Sequence, residues 1–212
     1  MQGLYAIVDP EHCRHDPLYT VEAVLCGGCA LLQLRVKAAN DRVFMDLATQ
    51  CATLCQEYQT PLVINDRVDI ALAVGAAMVH LGQDDLPATK VKKIAPQLGI
   101  GLSTHNESQF AAAQSLPLAY VALGPIHTTQ SKENPEPTVG LHRLRDLSAG
   151  SKHPIVAIGG LDQHSAQDAV AAGASLIASI SALTHAEDPE HSARTLHQRC
   201  LNPTRHFLAT TP

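Results

Sequence analysis

Short apolar runs recur eight times along the 212 residues, and a segment with helical periodicity follows each one. The runs fall at 4–8, 31–36, 62–64, 78–81, 100–103, 120–123, 154–158 and 176–179. The helical segments fall at 17–25, 41–58, 68–74, 88–95, 107–114, 141–147, 166–172 and 189–200. A brief, continuously apolar run between Gly, Pro, Asn or Asp suits a strand covered on both faces, as in a parallel sheet. An open doubly wound sheet ordinarily stops at five or six strands. Eight units in a chain of this length therefore predict a closed (β/α)8 TIM barrel. No linker, charge block or low-complexity stretch divides the sequence, which predicts a single domain over 1–212.

Composition removes several functions. A net charge of −5 argues against a general nucleic-acid binder. Trp is absent and aromatics make up 3%, so base-stacking platforms are not expected. No apolar run reaches membrane-spanning length. The N-terminal residues enter the first strand without a basic leader, which predicts a cytoplasmic protein. Small-molecule substrates are the expected partners, and a homo-oligomer is compatible with the sequence. Cys26-Gly-Gly-Cys29 has redox or zinc spacing, but no second pair of similar form follows. Gly27-Gly28 reads instead as a helix stop, and Cys51 and Cys55 as core residues four apart on one helix face. The twelve His form no metal-binding pattern.

In a barrel, function lies in the loops after the strands. The stretch 61–87 places Asn65-Asp66 after the third strand and Asp84-Asp85 after the fourth. Carboxylates from adjacent strands form a hard-oxygen set suited to Mg²⁺ carrying a phosphate. The competing role for each Asp is to cap the next helix. Gln33, Arg35 and Lys37 alternate after the second strand, so all three share one face. Ser103 ends the fifth strand, with His105 close by. The long polar loop 124–140 carries Thr128, Thr129, Ser131 and Lys132, whose hydroxyls and ammonium suit phosphate oxygens. Gly159-Gly160 and Ser179-Ile180-Ser181 end the last two strands, where barrels often build a phosphate site from backbone N–H groups. Two anionic handles and no nucleophile paired with a base imply displacement of pyrophosphate, with the protein neutralising the leaving group.

The motifs LYAIVD, QLRVK, VINDRVDIALAVGA, VHLGQDDLP, GLSTH, LGPIHTTQSK, VAIGGL and ASISAL, in this order and spacing, resemble the thiamine phosphate synthase family. The resemblance covers nearly the whole chain. It implies a (β/α)8 transferase of thiamine biosynthesis that uses Mg²⁺. Such an enzyme joins 4-amino-2-methyl-5-hydroxymethylpyrimidine diphosphate to 4-methyl-5-(2-phosphoethyl)thiazole, giving thiamine monophosphate and pyrophosphate. The implied chemistry is dissociative, with pyrophosphate leaving before the thiazole nitrogen captures a pyrimidine carbocation. By the same resemblance, Gln33, Leu34, Arg35, Val36, Lys37 and Asn65 hold the pyrimidine diphosphate. Asp66 and Asp85 ligate Mg²⁺, and Ser103 and Lys132 contact the diphosphate. Thr129 and Ser131 meet the thiazole phosphate, and Gly160, Ile180 and Ser181 form its nest. Arg35, Ser103 and Lys132 are the implied catalytic groups. His127-Thr128 departs from the family's usual aromatic-Pro pair. Two alternatives are a thiazole tautomerase-like barrel, which typically carries Gly in place of Asp66, and a non-catalytic barrel that binds a phosphorylated ligand.

Overall fold

The computed structural model describes residues 1–128 and 137–202. Eight parallel strands close into one barrel in chain order, β1 against β2 and so on round to β8 against β1. They are β1 (Gly3–Val8), β2 (Leu31–Leu34), β3 (Leu62–Asn65), β4 (Met78–Leu81), β5 (Gly99–Thr104), β6 (Tyr120–Leu123), β7 (Ile155–Ile158) and β8 (Leu176–Ser179). The helices between and after them are α1 (Pro17–Gly27), α2 (Asp41–Glu57), α3 (Val68–Ala73), α4 (Ala88–Ile94), α5 (Glu107–Ala113), α6 (Gly140–Ser148), α7 (Ala166–Ala171), α8 (Ser181–Thr184) and α9 (Pro189–Leu201). The expected barrel is present. The four-residue α8 and a 3-10 turn at Pro10–His12 occupy stretches that carry no helical periodicity long enough to read.

Local chemistry explains the helix ends. Asp16 caps α1 by accepting from the Leu18 and Tyr19 N–H groups. Gly28 closes the same helix at φ +97°, its N–H reaching the Val24 and Leu25 carbonyls. Asn40 and Asn106 cap α2 and α5 in the same way as Asp16. Phe44, Ala48, Cys51 and Cys55 form the buried face of α2, so both cysteines are core residues. The described cysteines are all free thiols; Cys26 is exposed and Cys29 half-buried.

Alternation along each strand divides the core in two. Leu4, Ala6, Val8, Leu32, Leu34 and Ile64 face outward and pack under the helices. Tyr5, Ile7, Leu31, Val63, Tyr120, Ala122, Val156, Leu176 and Ala178 fill the barrel itself. Tyr5 and Tyr120 are the largest side chains there, and the strand facing Tyr120 makes room for it. Gly101 pairs with Tyr120 across β5 and β6. A Cβ on Gly101 would lie 2.0 Å from Tyr120 Cζ and 2.2 Å from its hydroxyl. The ring cannot swing aside, because Tyr120 is fully buried and its hydroxyl is held by Tyr5 and His80. Gly101→Ala should therefore overpack the barrel and lower its stability by about 1–3 kcal/mol in urea denaturation. An unchanged midpoint would show that the barrel centre has slack.

Candidate active site

The carboxyl ends of the strands open into one cavity of about 560 Å³. Its wall includes Gln33, Arg35, Lys37, Asn65, Asp66, Asp85, Ser103, Gly160, Ile180 and Ser181, so these sequence candidates meet in one place. Leu34 and Val36 do not line it. Their side chains lie on the opposite face of the strand and its extension, against the outer core. Only their backbone groups remain for a ligand. Thr129, Ser131 and Lys132 lie outside the described residues.

Asp66 stands at φ +60°, in the left-handed region. Its N–H donates to the His80 carbonyl on β4 and the Arg67 N–H donates to the Asn65 carbonyl, which pins the backbone there. Arg67 is fixed in turn by ion pairs to Asp41 and Asp69. Neither α3 nor α4 takes a side-chain cap, so Asp66, Asp84 and Asp85 do not serve as helix caps. The Asp66 carboxylate is ion-paired with Lys37. Asp85 turns back to accept the Gly82 N–H at 2.6 Å. Burial pushes the Asp85 carboxyl above its usual range, against the Gly82 N–H, and the adjoining Asp66 carboxylate raises it further. Two acids from adjacent strands thus share a small volume. Asp84, next in sequence, is exposed.

That pair suits a divalent cation. No cluster of three or more metal-ligating side chains occurs among the described residues. Mg²⁺ characteristically takes one or two carboxylates and completes its shell with water and phosphate oxygens. Asn65 adds a donor on the same side. Its Nδ2 is buried without a hydrogen-bond partner among the described residues, which is costly unless a ligand oxygen accepts it.

Arg35 reaches the cavity from behind through Asp9, which the sequence did not single out. Asp9 follows β1 directly, its carboxylate is fully buried, and it is ion-paired with Arg35. It also accepts the Glu11 N–H at the head of the 3-10 turn. The Arg35 side chain is about one-fifth exposed, and the residue lines the cavity. Position alone could have suggested Asp9, because a carboxylate just past a barrel strand sits at the mouth.

A second missed group lies on the cavity floor. Gln33 Nε2 donates to the Tyr5 hydroxyl, and the Tyr5 and Tyr120 hydroxyls are 2.7 Å apart. Tyr120 meets His80 Nδ1 at 2.9 Å, and His80 Nε2 meets Ser103 Oγ at 2.8 Å. Five side chains from five strands form one continuous polar chain inside the barrel. Across the mouth, Gly159 and Gly160 stand at φ +100° and +63°. A Cβ on Gly160 would fall 2.7 Å from the Thr128 carbonyl oxygen and 2.8 Å from His127 Cβ. Gly160 therefore seats the start of the sixth loop, as well as bordering the cavity.

The geometry at Asp66 separates folding from ligand binding. Asp66→Gly relieves the left-handed strain and loses only a partly exposed ion pair, so stability should stay within about 1 kcal/mol of wild type. Asp66→Val, β-branched at the same φ, should cost about 1–3 kcal/mol. Denaturation of both variants checks this, and equal stabilities would contradict the strain at Asp66.

Comparison with known proteins follows the same lines. The family model described as thiamine monophosphate synthase matches residues 4–183. A thiamine-phosphate synthase of Leptospira biflexa is 37% identical over 205 residues, covering 94% of this chain and 98% of that protein. One from Laribacter hongkongensis is 39% identical over 198 residues, covering 92% and 93%. The solved thiamine phosphate pyrophosphorylase of Pyrococcus furiosus superimposes with a TM-score of 0.85 at 32% identity, covering 93% of this chain and 94% of that one. The chain belongs to the thiamine monophosphate synthase family.

Proposed function

We propose that the cavity at the strand ends joins an aminopyrimidine methyl diphosphate to a thiazole phosphate, forming thiamine monophosphate and pyrophosphate. Full-length similarity to thiamine-phosphate synthases supports the reaction. The observation that carries the site assignment is the facing pair Asp66 and Asp85, with Arg35, Lys37 and the buried Asn65 amide beside them. A diphosphate needs counter-charge from both sides, and a cation between two acids with flanking Arg and Lys supplies it.

In this reading the methylene C–O bond breaks and its electron pair leaves with pyrophosphate. The thiazole nitrogen then gives its lone pair to the methylene carbon, forming the C–N bond. That nitrogen carries no proton, so no general base is required. Arg35, oriented by Asp9, and Lys37 meet the negative charge that grows on the leaving group. Asn65 Nδ2 and Ser103 Oγ donate to its oxygens. Mg²⁺ held by Asp66 and Asp85 would draw charge away from the diphosphate. Lys132, with Thr129 and Ser131, enters through the family motif alone. Gly160, Ile180 and Ser181 form the opposite wall, where the thiazole phosphate would sit. Phosphorylated substrates do not cross membranes unaided, and we propose the cytoplasm as the location.

The test is pyrophosphate release with both substrates and Mg²⁺. Wild type should release pyrophosphate in step with thiamine phosphate, and chelation of Mg²⁺ should stop it. Asp85→Ala should lower kcat by about 10²-fold or more, the scale of losing one preorganised charge contact. Asp84→Ala should change it by less than about threefold, since surface charges are worth little. Full activity of Asp85→Ala would remove the acid pair from the chemistry. A wild-type enzyme that binds the substrates and releases nothing would leave a binding protein.

A further inference from the structure

The buried chain from Gln33 to Ser103 runs through hydroxyls and an imidazole that can each donate one proton and accept another, so the direction of the Gln33 amide sets the direction of the rest. Gln33 Nε2 donates to the Tyr5 hydroxyl. The Tyr5 proton then goes to Tyr120, 2.7 Å away. The Tyr120 proton goes to His80 Nδ1, which must be the unprotonated nitrogen. His80 Nε2–H donates to Ser103 Oγ, and the Ser103 proton is left for the cavity. At the other end the remaining amide atom, Gln33 Oε1, is an acceptor. Reversal would require the Gln33 amide to turn over and the Ser103 O–H to lie on His80 Nε2. Only oxygen lone pairs would then face the cavity from Ser103, the wrong polarity for an anion.

We propose that Tyr5, Tyr120 and His80 are positioning residues that lock this chain in one direction, making Ser103 a donor at one end of the cavity floor and Gln33 Oε1 an acceptor at the other. The pattern matches a substrate with an exocyclic amine on its ring and a diphosphate on its arm, and the proposal rests on the reaction assigned above. Specificity follows from the coupling. A ring with an oxo group in place of the amine would oppose Gln33 Oε1. Turning the amide to suit it would take the Ser103 proton away from the diphosphate. Burial raises both phenols far above their usual range, so each carries its proton throughout. Edge-to-face contact between Tyr5 and Tyr120 and stacking of His80 on Tyr120, with centroids 5.5 and 5.7 Å apart, keep the rings from rotating out of line.

Nitrogen NMR of the full-length enzyme labelled with 15N-histidine, with His80 identified by its loss in His80→Gln, reads the tautomer directly. We expect His80 protonated at Nε2 and bare at Nδ1. Tyr120→Phe keeps the ring and removes the donor to Nδ1, so the tautomers should mix. KM for the pyrimidine diphosphate should then rise about tenfold, the scale of one hydrogen bond to a charged group, with KM for the thiazole phosphate within about twofold. His80→Gln, which retains an N–H near the Nε2 position, should keep more activity than His80→Asn, whose amide reaches only the Nδ1 position. A proton on Nδ1, an equal rise in both KM values, or His80→Asn matching His80→Gln would overturn the proposal. Failure of wild type to make thiamine phosphate would instead remove the assigned reaction, and the tautomer would still be read from the NMR signal.

Discussion

Tyr120 occupies the middle of the barrel because Gly101, opposite it on β5, has no side chain. Most of the site depends on that one accommodation. The ring gives Tyr5 and His80 a surface to pack on, and its hydroxyl links them. Through His80 it reaches Ser103, and through Tyr5 it reaches Gln33. Apolar layers close the barrel on the other side of this plane, so its polar chain is the boundary between core and cavity. A buried polar network stabilises only when every member is satisfied, and such a network also fixes one arrangement of its side chains.

Above that floor the site is assembled from charges held at fixed separations. Asp9 is buried so that Arg35 cannot swing away from the mouth. Asp66 is held left-handed so that its carboxylate meets Asp85 and Lys37 instead of capping α3. Each arrangement costs folding free energy, through desolvation at Asp9 and backbone strain at Asp66. In the proposed reaction a diphosphate meets Arg35 and Lys37 directly, and it would meet the acid pair through a divalent cation. Gly there would relieve the strain at Asp66 but would remove a carboxylate from the pair.

Much of this was readable from the chain because a parallel barrel writes its topology into length and rhythm. The eight apolar runs became eight strands, and residues at or just past their ends, Arg35, Lys37, Asn65, Asp66, Asp85 and Ser103, line one cavity. Strand alternation also turns Leu34 and Val36 outward, and only their motif suggested them for the site. Two things were not readable. Tyr5, His80 and Tyr120 sit inside apolar runs and look like ordinary strand residues, and they meet only when β1, β4 and β6 curve round the same axis. Asp9 and Arg35 are far apart in sequence, and closure of β1 on β2 makes them partners. Thr129, Ser131 and Lys132 rest on the motif alone.

In the proposed function the mouth holds a diphosphate through a cation that Asp66 and Asp85 would share. Calorimetric titration of the enzyme with pyrophosphate, with Mg²⁺ and then with chelator, reads this out. We expect binding with Mg²⁺ that weakens at least about tenfold, or about 1.4 kcal/mol, when the metal is removed, and by a similar factor in Asp66→Gly with metal present. Equal affinity with and without Mg²⁺, or an Asp66→Gly variant that binds as wild type does, would contradict it.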